Sequence, residues 1–244
     1  MKDTIFEVIS NKKIAKNTYE CRLIGDTGAI TRPGQFVNVK LDGFYLRRPI
    51  SVCEVDGDTL TLIYKVVGDG TAKMAEATPG TRWLVLTGLG NGYNTEVSGE
   101  HPLLIGGGAG VPPMYQLAKE LIKEGKKPHA ILGFGSSDEV FYKEEFEKLG
   151  VPVTVTTADG TEGVRGFVTD AMDSVSYTYF YTCGPEPMLK AVYQRSTTGG
   201  QFSFEERMGC GFGACMGCSC KTLTGNKRIC REGPVLQKEE ILWQ

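Results

Sequence analysis

The chain has little that ties it to a membrane or to nucleic acid. No apolar run approaches the length a bilayer requires. Across 244 residues the net charge is only −2, so no electrostatic case for phosphate-rich partners exists. Residues 1–13 hold no apolar stretch of the length a secretion signal needs, and a cytoplasmic chain is expected. Histidine is scarce. His101 and His129 are the two present, both where strands are expected to start, and no acid–base pair suited to deprotonating a carbon substrate is evident. Scattered cysteine is scarce as well. Of eight cysteines, only Cys21, Cys53 and Cys183 fall outside a 21-residue window, a distribution that fits a metal site in a reducing compartment better than a disulfide framework.

That window holds what the chain does have. Cys210, Cys215 and Cys218 are spaced C-x4-C-x2-C, and Cys230 follows after eleven residues. This is the spacing of plant-type [2Fe–2S] centres. Two irons need four soft thiolates in a small volume, and a loop delivers three of them only if its backbone bends sharply. Gly211, Gly213 and Gly217 supply that freedom and let amide N–H groups approach the sulfurs. Tetrahedral zinc is the first rival occupant, although zinc ribbons show two short C-x2-C pairs and this segment has one. Disulfides are the second rival. Cys220 is a possible substitute for Cys218 or Cys230. The expected ligands are Cys210, Cys215, Cys218 and Cys230, with Cys220 left over.

The chain divides into three stretches. Residues 1–97 read as short alternating strands broken by turn residues, such as Pro33-Gly34 and Asp56-Gly57, and predict an antiparallel β-barrel with a short helix over 71–77. Residues 98–198 alternate strands and helices, the pattern of a parallel α/β sheet. One of those helices is expected over 139–149. Residues 199–244 carry the cysteines and are too few to form a core of their own, so metal binding is expected to help fold them. The fold class is thus a β-barrel followed by an α/β domain and a small cluster module.

Four further motifs fall in the first two stretches. Arg48-Pro49-Ile50-Ser51 reads by itself as an edge-strand turn. Ile63-Tyr64-Lys65 leads into Gly68-Asp69-Gly70-Thr71, which is either a turn with a capping threonine or a set of free N–H groups for a diphosphate. Gly106 to Gly110 follow a buried strand and match no complete G-x-G-x-x-G, since Val111 stands at the last position. Cys183-Gly184-Pro185 ends another strand.

In this order the motifs resemble the ferredoxin–NADP reductase superfamily. With Glu205 to Cys215 and Cys230-Arg231-Glu232-Gly233-Pro234-Val235 added, the whole chain resembles the electron-transfer subunits of NAD-dependent (B-type) dihydroorotate dehydrogenases. The resemblance implies FAD, with Arg48 on its diphosphate, Pro49 and Ile50 shaping the flavin wall, and Ser51 near flavin N5. Ile63, Tyr64 and Lys65 would line the FAD, with Gly70 and Thr71 on its phosphates. Members often carry arginine where Lys65 stands; lysine keeps the charge without the bidentate fork. Gly107, Gly108 and Cys183 would approach NAD, with Ser51 and Cys183 nearest the reacting atoms. The stretch Leu86 to Tyr93 departs from the usual pattern, and no function is read from it.

A nicotinamide exchanges a hydride, a [2Fe–2S] centre exchanges single electrons, and a flavin does both. The implied circuit runs from an FMN-containing dihydroorotate dehydrogenase catalytic subunit, through cluster and FAD, to NAD, in pyrimidine biosynthesis. The implied assembly is a heterotetramer of two of each chain. NAD is expected over NADP because Gly135 to Glu139 offer carboxylates and no arginine to a 2′-phosphate. The alternatives are a reductase subunit serving ferredoxin, sulfite reductase or hydrogenase, and a zinc-stapled binding module.

Overall fold

The computed structural model describes residues 1–243. Its first part closes into a barrel. β1 (Lys2–Ala15), β2 (Thr18–Ile24), β3 (Phe36–Val39), β4 (Arg48–Asp56) and β5 (Thr59–Lys65) are followed by α1 (Asp69–Ala75) and β6 (Arg82–Leu89). The strand order is β1-β2-β5-β4-β3-β6, closed on itself, with antiparallel pairing throughout. Period-two alternation drives this arrangement. Phe6, Val8, Cys21, Leu23, Val37, Val39, Leu60, Leu62 and Tyr64 face inward and form one core. β1 is much longer than the short run Phe6-Glu7-Val8-Ile9 suggests. Its first half pairs with β6 and its second half with β2, so backbone pairing extends it past the apolar signal.

The second part is a sheet covered on both faces. In chain order it has β7 (Pro102–Gly107), α2 (Val111–Lys123), β8 (His129–Phe134), α3 (Lys143–Lys148), β9 (Val153–Thr157), β10 (Val164–Arg165), α4 (Val168–Met172), β11 (Tyr179–Cys183), α5 (Glu186–Arg195) and β12 (Gly200–Ser203). These strands run parallel in the order β10-β9-β8-β7-β11-β12. Leu104, Ala130 and Leu132 pack with Leu117, Leu121 and Phe146 on one side. Leu103, Ile105 and Ile131 pack with Ala171, Leu189 and Val192 on the other. Burial on both faces explains why these strands read as continuous apolar runs.

The last part is a hairpin, β13 (Ser219–Thr222) with β14 (Gly225–Arg228), and then β15 (Val235–Gln237). β15 adds antiparallel to β12 at the sheet edge. Two strands of the sheet therefore come from beyond residue 198, in the stretch that carries the cysteines. The hairpin has no apolar run to announce it.

The helix expected over 139–149 is shorter, at Lys143–Lys148. Val140 is extended and Tyr142 has φ +66°, which turns Phe141 and Tyr142 into the core between barrel and sheet. Burial of two aromatic rings, each worth roughly 1.5–3 kcal/mol, outweighs one more helical turn. Among the described residues no helix is long and apolar enough to cross a membrane.

Candidate functional site

The barrel and the sheet meet along an apolar seam. Cys53 and Ile63 from the barrel pack in one core with Val111, Met114, Tyr142 and Cys183. Val55 N–H donates to Gln116 Oε1 at 2.9 Å, and Tyr142 Oη donates to Glu20 Oε2 at 2.8 Å. Among the described residues three ion pairs cross the seam, Lys65–Glu139 at 3.1 Å, Lys16–Asp138 at 3.0 Å and Lys119–Glu54. All three touch solvent and are worth up to about 1 kcal/mol each, so the apolar contacts set the domain arrangement.

On the barrel side, the fold gathers residues that are far apart in sequence. Arg48 opens β4, and its guanidinium lies 4.7 Å from the Phe44 ring centroid. A Cβ built on Gly70 would sit 1.9 Å from Arg48 Nε, so glycine there lets the guanidinium lie against the first turn of α1. Thr71 closes the loop from within. Its hydroxyl accepts from Val67 N–H at 3.0 Å and Gly68 N–H at 3.2 Å, and donates to Gly68 O at 2.9 Å. Thr71 thus shapes the loop with its side chain. Pro49 is exposed, while Ile50 and Ser51 are half-buried on the same strand. On β5, Ile63 faces the seam and Lys65 reaches Glu139. Tyr64 points the other way: its ring lies in the barrel core, with Oη donating to Asn11 Oδ1 at 2.9 Å.

On the sheet side, two loops stand together because β7 and β11 are neighbours, with Cys183 paired to Gly106. A Cβ on Gly110 would sit 2.1 Å from Cys183 O, and one on Gly107 would sit 2.4 Å from Met188 Sδ. Glycine is required at 110, where backbone meets backbone; at 107 the neighbour is the movable end of the Met188 side chain. The loops lie at the carboxyl ends of the strands, where parallel sheets bind nucleotides. The open groove at the opposite end, about 590 Å³ and lined by His101, Lys126 and His129, is away from them. His129 Nε2 there meets Thr154 Oγ1 at 2.9 Å, a structural contact.

Cys183 is 1 % exposed. Burial pushes its thiol up, and the carboxylate of Glu205 adds to the effect, so the sulfur stays protonated. Glu205 is exposed as a residue, yet burial around its carboxyl raises its pKa as well. Glu205 was not among the residues expected at the site. It is brought to Cys183 because β12, which it follows, pairs with β11, and only that strand pairing signals it.

The cysteine loop lies against the barrel. Asn38 Nδ2 on β3 donates to Cys210 O at 3.4 Å. The cysteines fall into two pairs: Cys215 N–H lies 3.4 Å from Cys210 Sγ, and Cys230 N–H lies 3.5 Å from Cys218 Sγ. Burial pushes Cys230 up to about 12, and Cys218 adds to it. Burial also acts to raise Cys210, but N–H groups of Cys215, Phe212 and Ala214 and the Cys215 side chain outweigh it and hold the thiol at about 6. Ala214 N–H and Cys215 N–H lie 3.2 and 3.4 Å from Cys210 Sγ. Arg228 braces the loop, donating from Nη1 to Gly213 O at 2.7 Å while its Nε is held by Glu232. Two pairs of thiols with N–H donors around them suit two irons better than one tetrahedral ion. Cys220 lies on β13, its Sγ 3.5 Å from Lys221 O, and burial together with the negative charge of Glu206 and Glu186 pushes its thiol up.

Comparison with known proteins is decisive. Residues 205–242 match the iron-sulfur cluster binding domain of dihydroorotate dehydrogenase B, and residues 104–194 match the oxidoreductase NAD-binding domain. The dihydroorotate dehydrogenase B (NAD(+)) electron transfer subunit of Geobacillus sp. (strain WCH70) is 42 % identical, over 99 % of each chain. That of Fusobacterium nucleatum subsp. nucleatum is 44 % identical over 96 % of each.

The chain belongs to the family of dihydroorotate dehydrogenase B electron transfer subunits.

It is an oxidoreductase subunit with an iron–sulfur binding domain and a NAD-binding domain. A solved structure of NADH-dependent reduced ferredoxin-NADP oxidoreductase is similar to it in fold, at 28 % identity and a TM-score of 0.88, over 98 % of this chain and 90 % of that one.

Proposed function

We propose that this chain relays electrons from an FMN-containing dihydroorotate dehydrogenase catalytic subunit, through a [2Fe–2S] cluster and FAD, to NAD⁺ in pyrimidine biosynthesis. The overall reaction is dihydroorotate plus NAD⁺ giving orotate, NADH and a proton. The observation that carries this reading is the two pairs of thiols on a loop seated against the strand that precedes Arg48-Pro49-Ile50-Ser51. FAD, when bound, supplies the exchange between single electrons on the cluster side and hydride on the nicotinamide side.

The residues fit these groups. Arg48, laid over Gly70, would neutralise the FAD diphosphate, and Thr71 holds the loop in shape for it. Pro49 and Ser51, on one face of β4, would form the flavin wall, with the Ser51 hydroxyl at the ring, while Ile50 packs against the barrel core and would contribute main chain. Ile63 supplies apolar surface, Tyr64 contributes main chain, and Lys65 adds positive charge. Gly107 and Gly108 admit the nicotinamide nucleotide to the backbone, and Cys183 remains a neutral thiol beside it. Cys210, Cys215, Cys218 and Cys230 would ligate the cluster, and Cys220 stands apart. Asp138 and Glu139 would repel a 2′-phosphate, favouring NAD over NADP. The assembly is two of each subunit.

Affinity-tagged chain coexpressed with an FMN-bearing partner of this family and purified anaerobically tests the reading. The expected result is flavin and iron in the chain, and NAD⁺ reduction by dihydroorotate only with the partner present. A colourless chain holding zinc would refute it. A coloured chain that reduces ferredoxin but never accepts electrons from dihydroorotate would point to a reductase like the 28 % identical structure.

A further inference from the structure

Two asparagines reach from the barrel to the cluster segment, and they differ. Asn91, in the Leu86 to Tyr93 stretch, has its side chain fully engaged. Its Nδ2 donates to Glu232 O at 3.1 Å and Val235 O at 2.8 Å, and its Oδ1 accepts from Val235 N–H at 3.1 Å. Its own N–H donates to Gly233 O at 2.7 Å. This stretch is the clamp that holds the chain after Cys230.

Asn38 is different. It is 1 % exposed, in the middle of a strand of apolar neighbours, and its Oδ1 is buried without a hydrogen-bond partner. Amide side chains are disfavoured in strands, and a buried orphan acceptor in a native protein calls for a reason. Its position supplies one. Val37 and Val39 face the barrel core, so Asn38 faces outward. Opposite it on β4 is Pro49, and opposite Phe36 is Ser51, so Asn38 shares one face with the expected flavin wall. On its other side is the first cysteine. Nδ2 donates to Cys210 O, and Gly211, at φ +77°, would carry a Cβ 1.9 Å from that nitrogen. The loop fits over the amide because residue 211 is glycine.

We infer that Asn38 is a positioning residue for electron transfer between cluster and flavin, fixing the Cys210 end of the loop against the flavin strand. The inference rests on the relay proposed above. An isosteric leucine would fill the same space and remove the orphan acceptor, so packing alone favours leucine. Asparagine is retained for what it orients.

The test uses the full holo chain, purified anaerobically. NADH gives a hydride to the flavin, and one of the two electrons then passes to the cluster. In Asn38→Leu, flavin content, iron content and the melting temperature are expected to hold, and NADH reduces the flavin at the wild-type rate. Transfer on to the cluster slows about tenfold, the lower end of what loss of an outer-sphere partner costs, and the electron paramagnetic resonance signal of the reduced cluster shifts. Asn38→Asp keeps the shape and, at a pH high enough to ionise a carboxyl that burial holds protonated, adds negative charge beside Cys210 and lowers the cluster's midpoint potential. An unchanged transfer rate and spectrum in the leucine variant would overturn the inference, as would an unchanged midpoint in the aspartate variant. Loss of iron and melting temperature in step with the transfer rate would make Asn38 a packing residue only. Wild-type chain without flavin or iron would instead sink the relay itself.

Discussion

The two ends of the proposed circuit are built in opposite ways. At the cluster end, three of the four expected ligands lie within nine consecutive residues, and local turns bring their sulfurs together. At the flavin end, Arg48 from β4, Ile63 and Lys65 from β5 and Gly70 from α1 meet only through barrel closure and the seam with the sheet. The comparison teaches where a single change does its damage. A local site fails by losing a ligand. An assembled site fails when one surface no longer admits another.

The largest effect tests the local end. Cys215→Ser removes one thiol of a pair, and iron content and dihydroorotate-to-NAD⁺ flux are expected to fall more than about a hundredfold, since even outer-sphere losses cost ten- to a hundredfold. NADH reduction of the flavin should stay within about twofold, because the cleft is built elsewhere. Loss of both functions together would mean that the two ends fold as one. Iron assay and anaerobic stopped-flow absorbance separate these outcomes.

A smaller effect tests the assembled end. Gly70 has an ordinary backbone conformation, so Gly70→Ala is tolerated by the helix; its methyl group meets Arg48 instead. FAD affinity is expected to fall about tenfold, the equivalent of roughly 1.4 kcal/mol of lost charge-assisted hydrogen bonding, with little change in stability. Unchanged affinity in a fluorescence titration of the apo chain would remove Arg48 from the diphosphate site.

The smallest effect tests the seam. Lys65→Met breaks the ion pair with Glu139, and both side chains are partly solvent-exposed. Stability should fall by about 0.5 kcal/mol or less, and the loss should shrink in high salt. A loss several times larger in denaturant titration would mean that ion pairs, rather than apolar packing, hold the two domains together.

These contrasts also explain what could be read early. The cysteine spacing, the glycines after β7 and the alternating strands are local patterns, and each led to the element observed. Tyr64 and Lys65 lie on the strand and Thr71 in the first turn of the short helix, as their motifs predict, but strand alternation and nearby groups decide where each side chain is committed: Lys65 to Glu139, Thr71 to the amides before its helix and Tyr64 to Asn11. The short α3 was misjudged because Phe141 and Tyr142 serve a core contributed by another domain. Glu205 and Asn91 were invisible as functional residues because their partners are distant in sequence.

By itself the sequence determined the donor chemistry: four clustered thiols and glycine loops at strand ends. These follow from residue type and short spacing, which survive in any conformation. Only the tertiary structure decided which thiols pair, which face of each strand looks into the cleft, and that a buried asparagine stands between the cluster loop and the flavin strand. Those depend on sheet register and domain packing, and both are set by apolar burial between segments that are remote along the chain.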